Sequence, residues 1–205
     1  MNIPIFDSMD FRVYYIHYLD NLYDLIRSGI FDYSWECMED IVIQGDDAKS
    51  WDGTGNPFLD NNKDNKICLA EDILNRGMYA PFISYRNGIS ATGKQIYYVV
   101  SGSHRAYSLK LLSQKQSLDK KFLFVYFKPY EEQKYETPLP LYTFDEKSPR
   151  KMSITNATDI FDVKIMTDYF IGFMNRCFFE QNIQPSPILN NEKLFENFIA
   201  TGVVI

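Results

Sequence analysis

Cysteine and histidine are scarce in this sequence. Its 205 residues include three cysteines, at 37, 68 and 177, and two histidines, His17 and His104. An odd cysteine count, wide spacings and no Cys-x-x-Cys argue against a disulfide framework and a thiolate zinc site. Two histidines are too few for a histidine-rich metal centre. Cys68 and Cys177 sit in apolar surroundings and read as inert core thiols. No apolar run reaches the ~18 residues that span a bilayer. The opening stretch Met1–Asp7 lacks the basic head and apolar core of a secretion signal. The expected compartment is therefore the cytoplasm, with no membrane partner. Internal repeats, low-complexity tracts, a Gly-x-Ser-x-Gly elbow, a phosphate-loop lysine motif and a Rossmann glycine set are all missing.

What is plentiful is aromatic: 16 phenylalanines and 15 tyrosines within a 45% hydrophobic composition, enough for a substantial core. The formal net charge is -6, and a chain this acidic is repelled by a polyphosphate backbone, so nucleic acid is not the expected partner. The charge is unevenly spread, however. Residues 1–93 carry 7 basic and 15 acidic side chains, a net of -8. Residues 94–128 carry seven basic side chains (Lys94, Arg105, Lys110, Lys115, Lys120, Lys121 and Lys128) against Asp119 alone, a net of +6. An island of that sign suits a ligand bearing phosphate. The plain alternative is a solvated lysine face balancing acidic neighbours.

Hydrophobic periodicity predicts the elements. Residues 9–28 repeat apolar side chains at helical spacing, with Gly29 as the stop. Residues 31–44 are mixed, with a short strand at Ile41–Ile43, and residues 45–66 form a long polar loop. A short strand is expected at Ile67–Leu69, a helical turn at Ala70–Asn75, a strand at Pro81–Tyr85 and a hairpin turn at Arg86–Gly88. A strand at Gln95–Val100, a helix from Ser103 through Leu112 and a buried strand at Lys121–Phe127 follow. Pro129, Pro138, Pro140 and Pro149 mark an extended acidic connector. Helices are expected at 159–182 and 192–200. The fold class is α+β: a small mixed sheet bearing a strand–turn–helix, flanked by N- and C-terminal helices. In domain terms this is a single domain, 1–205, with an N-terminal helical extension (1–30), a core (35–128), a connector (129–149) and a helical C-terminal appendage (150–205).

The strand–turn–helix "YYVVSGSHRAYSLKLL" at residues 97–112 carries the chemistry. A helix starting directly after a glycine presents amides that lack intrahelical partners, and the macrodipole adds roughly half a positive charge there. An anion meets ready-made donors at that point. Gly102 permits close approach, Ser103 can cap the helix or bond a phosphate oxygen, and His104 and Arg105 add side-chain donors, the latter as a planar fork. The competing reading is an ordinary capped helix with His104 and Arg105 exposed.

This segment resembles the signature turn of the ParB/sulfiredoxin superfamily, a Gly-x-His-Arg or Gly-x-x-Arg turn after a strand. "ICLAEDILNRGMYAPFISYRNG" upstream is similar to that family's strand, helix and proline-led strand, and "KFLFVYF" stands in the place of its next strand. The likeness covers residues 66–128. It implies a nucleotide of the ATP or CTP class, its phosphates held by Gly102, Ser103, His104 and Arg105. The family includes DNA-partition CTPases, sulfiredoxin, a free-serine kinase and members labelled as nucleases. Ser103 stands where sulfiredoxin has its cysteine, so sulfinic acid repair is not implied. The roughly 55 residues after the connector are a poor match to a DNA-reading helix-turn-helix. By likeness to the serine kinase, Glu71 or Asp72 is the candidate base.

The acidic loop from Asp60 to Glu71 partly fits a calcium-loop pattern, with oxygen ligands at Asp60, Asn62, Asp64 and Glu71. Two glycines and a proline upstream leave no room for an entering helix, so a plain polar loop is preferred to a Ca²⁺ site. Mg²⁺ bridging nucleotide phosphates needs only one or two carboxylates, which Asp52, Asp60, Asp64, Glu71 or Asp72 can supply. Three functions follow as expectations. The first is phosphoryl transfer or nucleoside-triphosphate hydrolysis, with Arg105 and helix amides neutralising phosphate, His104 donating to an oxygen and a carboxylate holding Mg²⁺ or acting as base. The second is a non-catalytic, nucleotide-responsive module that meets a protein partner. The third is DNA binding or cleavage.

Overall fold

A computed structural model describes residues 8–29, 31–45, 69–127, 139–145, 148–157 and 184–203. The chain divides into two compact units, one made of residues 31–127 with 185–195 and the other of residues 1–30, 128–184 and 196–205. The core unit begins at residue 31 and takes in a short piece of the C-terminal region.

The first unit is an α+β fold built on a mixed five-stranded sheet. Its strands are β1 (Phe31–Cys37), β2 (Ile41–Gln44), β3 (Phe82–Ile89), β4 (Gln95–Ser101) and β5 (Lys121–Phe127), in the spatial order β1-β5-β3-β4-β2. The pairs β1–β5 and β3–β4 are antiparallel, whereas β3–β5 and β2–β4 are parallel. β1 was not expected, although its sequence alternates Phe31, Tyr33 and Trp35 with Asp32, Ser34 and Glu36, the two-residue period of a half-buried strand. β5 has the predicted bounds, and all of its residues after Lys121 are buried, as a central strand covered on both faces requires.

Two helices, α2 (Leu69–Arg76) and α3 (Ser103–Ser113), share a core with one face of this sheet. Ala70, Ile73, Ala106 and Leu109 pack with Phe82, Tyr97, Val99, Phe122 and Phe124 in one cluster. Elsewhere in the unit Phe195, at the start of α4 (Glu192–Thr201), meets the rings of Tyr33 and Trp35 edge-on, at centroid distances of 5.0 and 6.1 Å. Ahead of it a 3-10 turn at Pro187–Asn190 buries Ile188 and Leu189. Asn190 fastens this turn to the loop after α2. Its Oδ1 accepts from the Met78 amide at 2.5 Å and its Nδ2 donates to the Met78 carbonyl at 2.7 Å.

The β3–β4 turn lies later than predicted. β3 continues through Arg86–Gly88 to Ile89, with an irregular register between Arg86 and Ile89, and Gly88 takes φ 81° there. The reversal is at Ser90–Gly93, where the Ser90 amide donates to the Lys94 carbonyl at 2.8 Å. The glycine signal belongs to a bulge rather than to the turn.

In the second unit, α1 (Ser8–Arg27) realises the predicted first helix, burying Tyr18, Leu19, Leu22 and Leu25 on one stripe. Tyr23 meets Phe198 at 5.7 Å between ring centroids. The region expected as an extended connector instead contains an antiparallel hairpin, β6 (Leu139–Asp145) with β7 (Ser148–Ala157). Pro140 and Pro149, which lie in these strands, are compatible with a two-stranded ribbon because both strands are edges, where a missing amide is tolerated. β7 also replaces the start of the expected helical appendage. The expected helix at 159–182 and the strand residues Ile67 and Cys68 lie outside the described residues, as does Cys177. Only the backbone of His17 is described. Among the described residues no helix is long and apolar enough to cross a membrane.

Candidate phosphate site at the Gly102 turn

β4 delivers the chain to Gly102, which adopts the left-handed conformation, φ 88° and ψ 19°. α3 begins at the next residue, and its first helical bond runs from the Ala106 amide to the Gly102 carbonyl at 2.9 Å. A glycine in the cap position contributes no side-chain acceptor to the helix amides. His104 is exposed and Ser103 is half-buried.

Arg105 departs from expectation. Its side chain is not an open fork but is 3% exposed, lodged beneath the turn. Nη1 donates to the Ala80 carbonyl at 2.5 Å and Nη2 to the Pro81 carbonyl at 3.3 Å, with the Met78 sulfur 4.0 Å from Nη1. The guanidinium carbon lies 5.0 Å from the Tyr79 ring centroid and 5.3 Å from that of Phe82. The helical period explains the placement, since Arg105 is four residues before the fully buried Leu109 and shares its stripe. The expected planar fork toward a phosphate follows from its charge alone, whereas its position on that stripe turns it inward.

Arg105 is therefore a buried cation whose neighbours are carbonyl oxygens and aromatic faces. Among the described residues no carboxylate pairs with it. Carbonyls and rings offset part of the desolvation cost of a buried charge, but neither carries the opposite charge. Burial pushes the Tyr79 phenol above its usual pKa, with Arg105 pulling in the other direction.

The two candidate carboxylates on α2 differ. Asp72 is held by Arg76, with Nε to Oδ1 at 2.6 Å and Nη2 to Oδ2 at 2.6 Å, a two-pronged pair one helical turn apart. That bond leads the causes that raise the Arg76 pKa. Glu71 is exposed. Asp60 and Asp64, and with them the loop reading for calcium or magnesium, lie outside the described residues, as does Asp52. Among the described residues no three of His, Cys, Asp and Glu converge on one point.

The basic island does not form one face. Lys110 Nζ donates to the Met38 and Ile41 carbonyls at 2.5 and 2.6 Å, and Lys94 Nζ to the Glu39 carbonyl at 2.5 Å. Lys121 pairs with Glu192 at 3.2 Å. Lys115 is exposed, burial lowers the pKa of the Lys120 ammonium, and Lys128 is outside the described residues.

A second polar cluster escaped sequence reasoning. The Tyr97 hydroxyl donates to Glu36 Oε1 at 2.6 Å, lies 2.8 Å from Ser34 Oγ, and accepts from Arg86 Nη2 at 3.4 Å. Arg86 lies 4.1 Å over the Tyr126 ring. The alternation in β1 placed Ser34 and Glu36 on one face, and that was the available signal. Burial, followed by the bond to Glu36, raises the Tyr97 pKa, and burial pushes that of Tyr126 up to about 12.

Comparison with family models, with curated proteins and with solved structures found no match.

Proposed function

We propose that the chain is a nucleotide-binding protein of ParB/sulfiredoxin-like fold whose phosphates dock at Gly102, Ser103 and His104. One observation carries this reading: Arg105, buried directly behind the turn, has no carboxylate partner among the described residues. A phosphate at the start of α3 would face the helix dipole and lie over that cation, giving it the opposite charge that no described residue supplies. Arg105 acts on the ligand from behind, through its field, rather than as an exposed fork. His104 supplies a donor from the solvent side. The order of α2, β3, β4, turn, α3 and β5 also supports the resemblance drawn from residues 66–128.

The site favours binding over chemistry. Asp72 is committed to Arg76, and Arg105 is committed to the carbonyls beneath the turn. A nucleotide-responsive module that meets a protein partner is therefore the preferred form. Phosphoryl transfer or hydrolysis would rest on Glu71, the exposed carboxylate of α2, as base or as a Mg²⁺ ligand. Calorimetric titration with ATP, CTP and their diphosphates, with and without Mg²⁺, tests the binding step. Saturable binding that weakens in His104→Ala is expected. Absence of binding to every nucleotide overturns the proposal. A phosphate-release assay on the same samples separates module from enzyme.

A further inference from the structure

A groove of about 460 Å³ lies within the sheet unit, away from the Gly102 turn, between the edge strand β2 and the second half of α3. That volume falls in the range of small-molecule sites. Ile41, Ile43, Tyr107 and Leu111 contribute to its wall, and Lys94 and Lys110 reach it from the hairpin turn and from α3.

The two ammonium groups are fixed by the same short segment. Lys110 spends two of its three donors on the Met38 and Ile41 carbonyls, and Lys94 spends one on the Glu39 carbonyl. Three N–H donors remain between them, on side chains already ordered, so a ligand would meet little entropy cost at these positions. Burial and then repulsion from Lys94 lower the Lys110 pKa, while Glu39 and Asp40 pull it upward. Glu39 is itself engaged, its Oε1 accepting from the Leu118 amide at 2.9 Å. Added strand pairing is disfavoured as the use of this edge, because the Ile41 and Ile43 carbonyls already accept from Lys110 and from the Tyr107 hydroxyl, the latter at 3.5 Å.

We infer that this groove binds a small organic anion, its acidic head between Lys94 and Lys110 and its apolar body along Tyr107 and Leu111. The site is separate from the phosphate turn and does not depend on it.

Calorimetric titration of the full chain with phenyl phosphate and with benzoate tests the inference and identifies the preferred head group. Inorganic phosphate serves as the head without the body. One equivalent of benzoate is expected to bind, and the groove is expected to take phenyl phosphate more tightly than inorganic phosphate, beside any phosphate held at the Gly102 turn. Lys94→Gln, on an exposed side chain whose loss leaves the core intact, is expected to weaken binding about tenfold. Lys110→Met is expected to do the same, and near-ultraviolet circular dichroism checks its packing. His104→Ala is expected to leave the benzoate affinity unchanged. The inference is overturned if neither probe binds, if Lys94→Gln binds as wild type does, or if His104→Ala rather than Lys94→Gln abolishes binding. The last result would place the probe at the turn and leave the nucleotide reading standing.

Discussion

The Arg105 guanidinium fills the space in which a side chain on Gly102 would begin. A Cβ built on Gly102 would stand 2.5 Å from Arg105 Nη2 and 3.1 Å from Phe82 Cδ1. Gly102 also holds φ 88°, a region that L-residues with a Cβ enter only under strain. Gly102→Ala therefore meets two penalties at once. We expect a loss of about 2 kcal/mol of stability, measured by urea denaturation. Stability within about 0.5 kcal/mol of wild type would mean that the turn relaxes freely and that Arg105 is not wedged behind it.

Arg105→Met keeps most of the side-chain volume but removes the charge and the donors to Ala80 and Pro81. The two carbonyls lose their partners, so stability should fall by about 2 kcal/mol while the protein still folds. The sharper expectation concerns ligand. ATP or CTP should raise the melting temperature of the wild type and leave that of Arg105→Met unmoved. An equal rise in both would show that the buried cation plays no part in holding phosphate.

How much of this was legible beforehand differs from element to element. β4, α3 and β5 could be read because each couples a strong period to a sharp stop, at Gly102 and at the polar run before Lys121. The turn glycine was legible for the same reason. Arg105 was not, because its charge suggested solvent while its position on the Leu109 stripe placed it inside, and tertiary packing decided between them. β1 was overlooked although its alternation was present. The β6–β7 hairpin was hidden by prolines that a two-stranded ribbon accommodates at its edges. The partners of Lys94 and Lys110 could not be read at all, since carbonyls of residues 38–41 come within reach only once β2 pairs with β4.

Asn190 joins a segment more than a hundred residues distant to the loop that holds Arg105. A Cβ on Gly77 would stand 2.7 Å from its Oδ1, which leaves that loop little room. Asn190→Ala strands both the amide and the carbonyl of Met78. We expect a loss of about 2 kcal/mol in urea denaturation, together with weaker nucleotide binding through the displaced Arg105 support. Asn190→Asp, which keeps the acceptor and loses the donor, should fall between the two. An Asn190→Ala variant as stable as wild type would contradict this tie.

Alkaline pH should expose the buried phenols. The Tyr126 pKa is raised from 10.0 to about 12, first by burial, and those of Tyr79 and Tyr97 are raised as well. A phenol whose folded pKa lies above its unfolded one adds stability that is complete below pH 10 and is lost as pH climbs through the folded value. Stability should therefore fall between about pH 10 and pH 12, and Tyr126→Phe should flatten part of that fall. Phenolate absorbance should show a late-titrating fraction in the native protein. A single transition for all tyrosines near pH 10 would contradict the burial of these three rings.

The most direct measurement of the central claim is the amide spectrum of the isotopically labelled chain titrated with a nucleoside diphosphate. If phosphate sits on the start of α3, the largest shifts fall on the amides of Ser103, His104 and Arg105, and they shrink in Arg105→Met. If those amides stay still while the nucleotide binds elsewhere, or no resonance moves at any concentration, the turn is not a phosphate site.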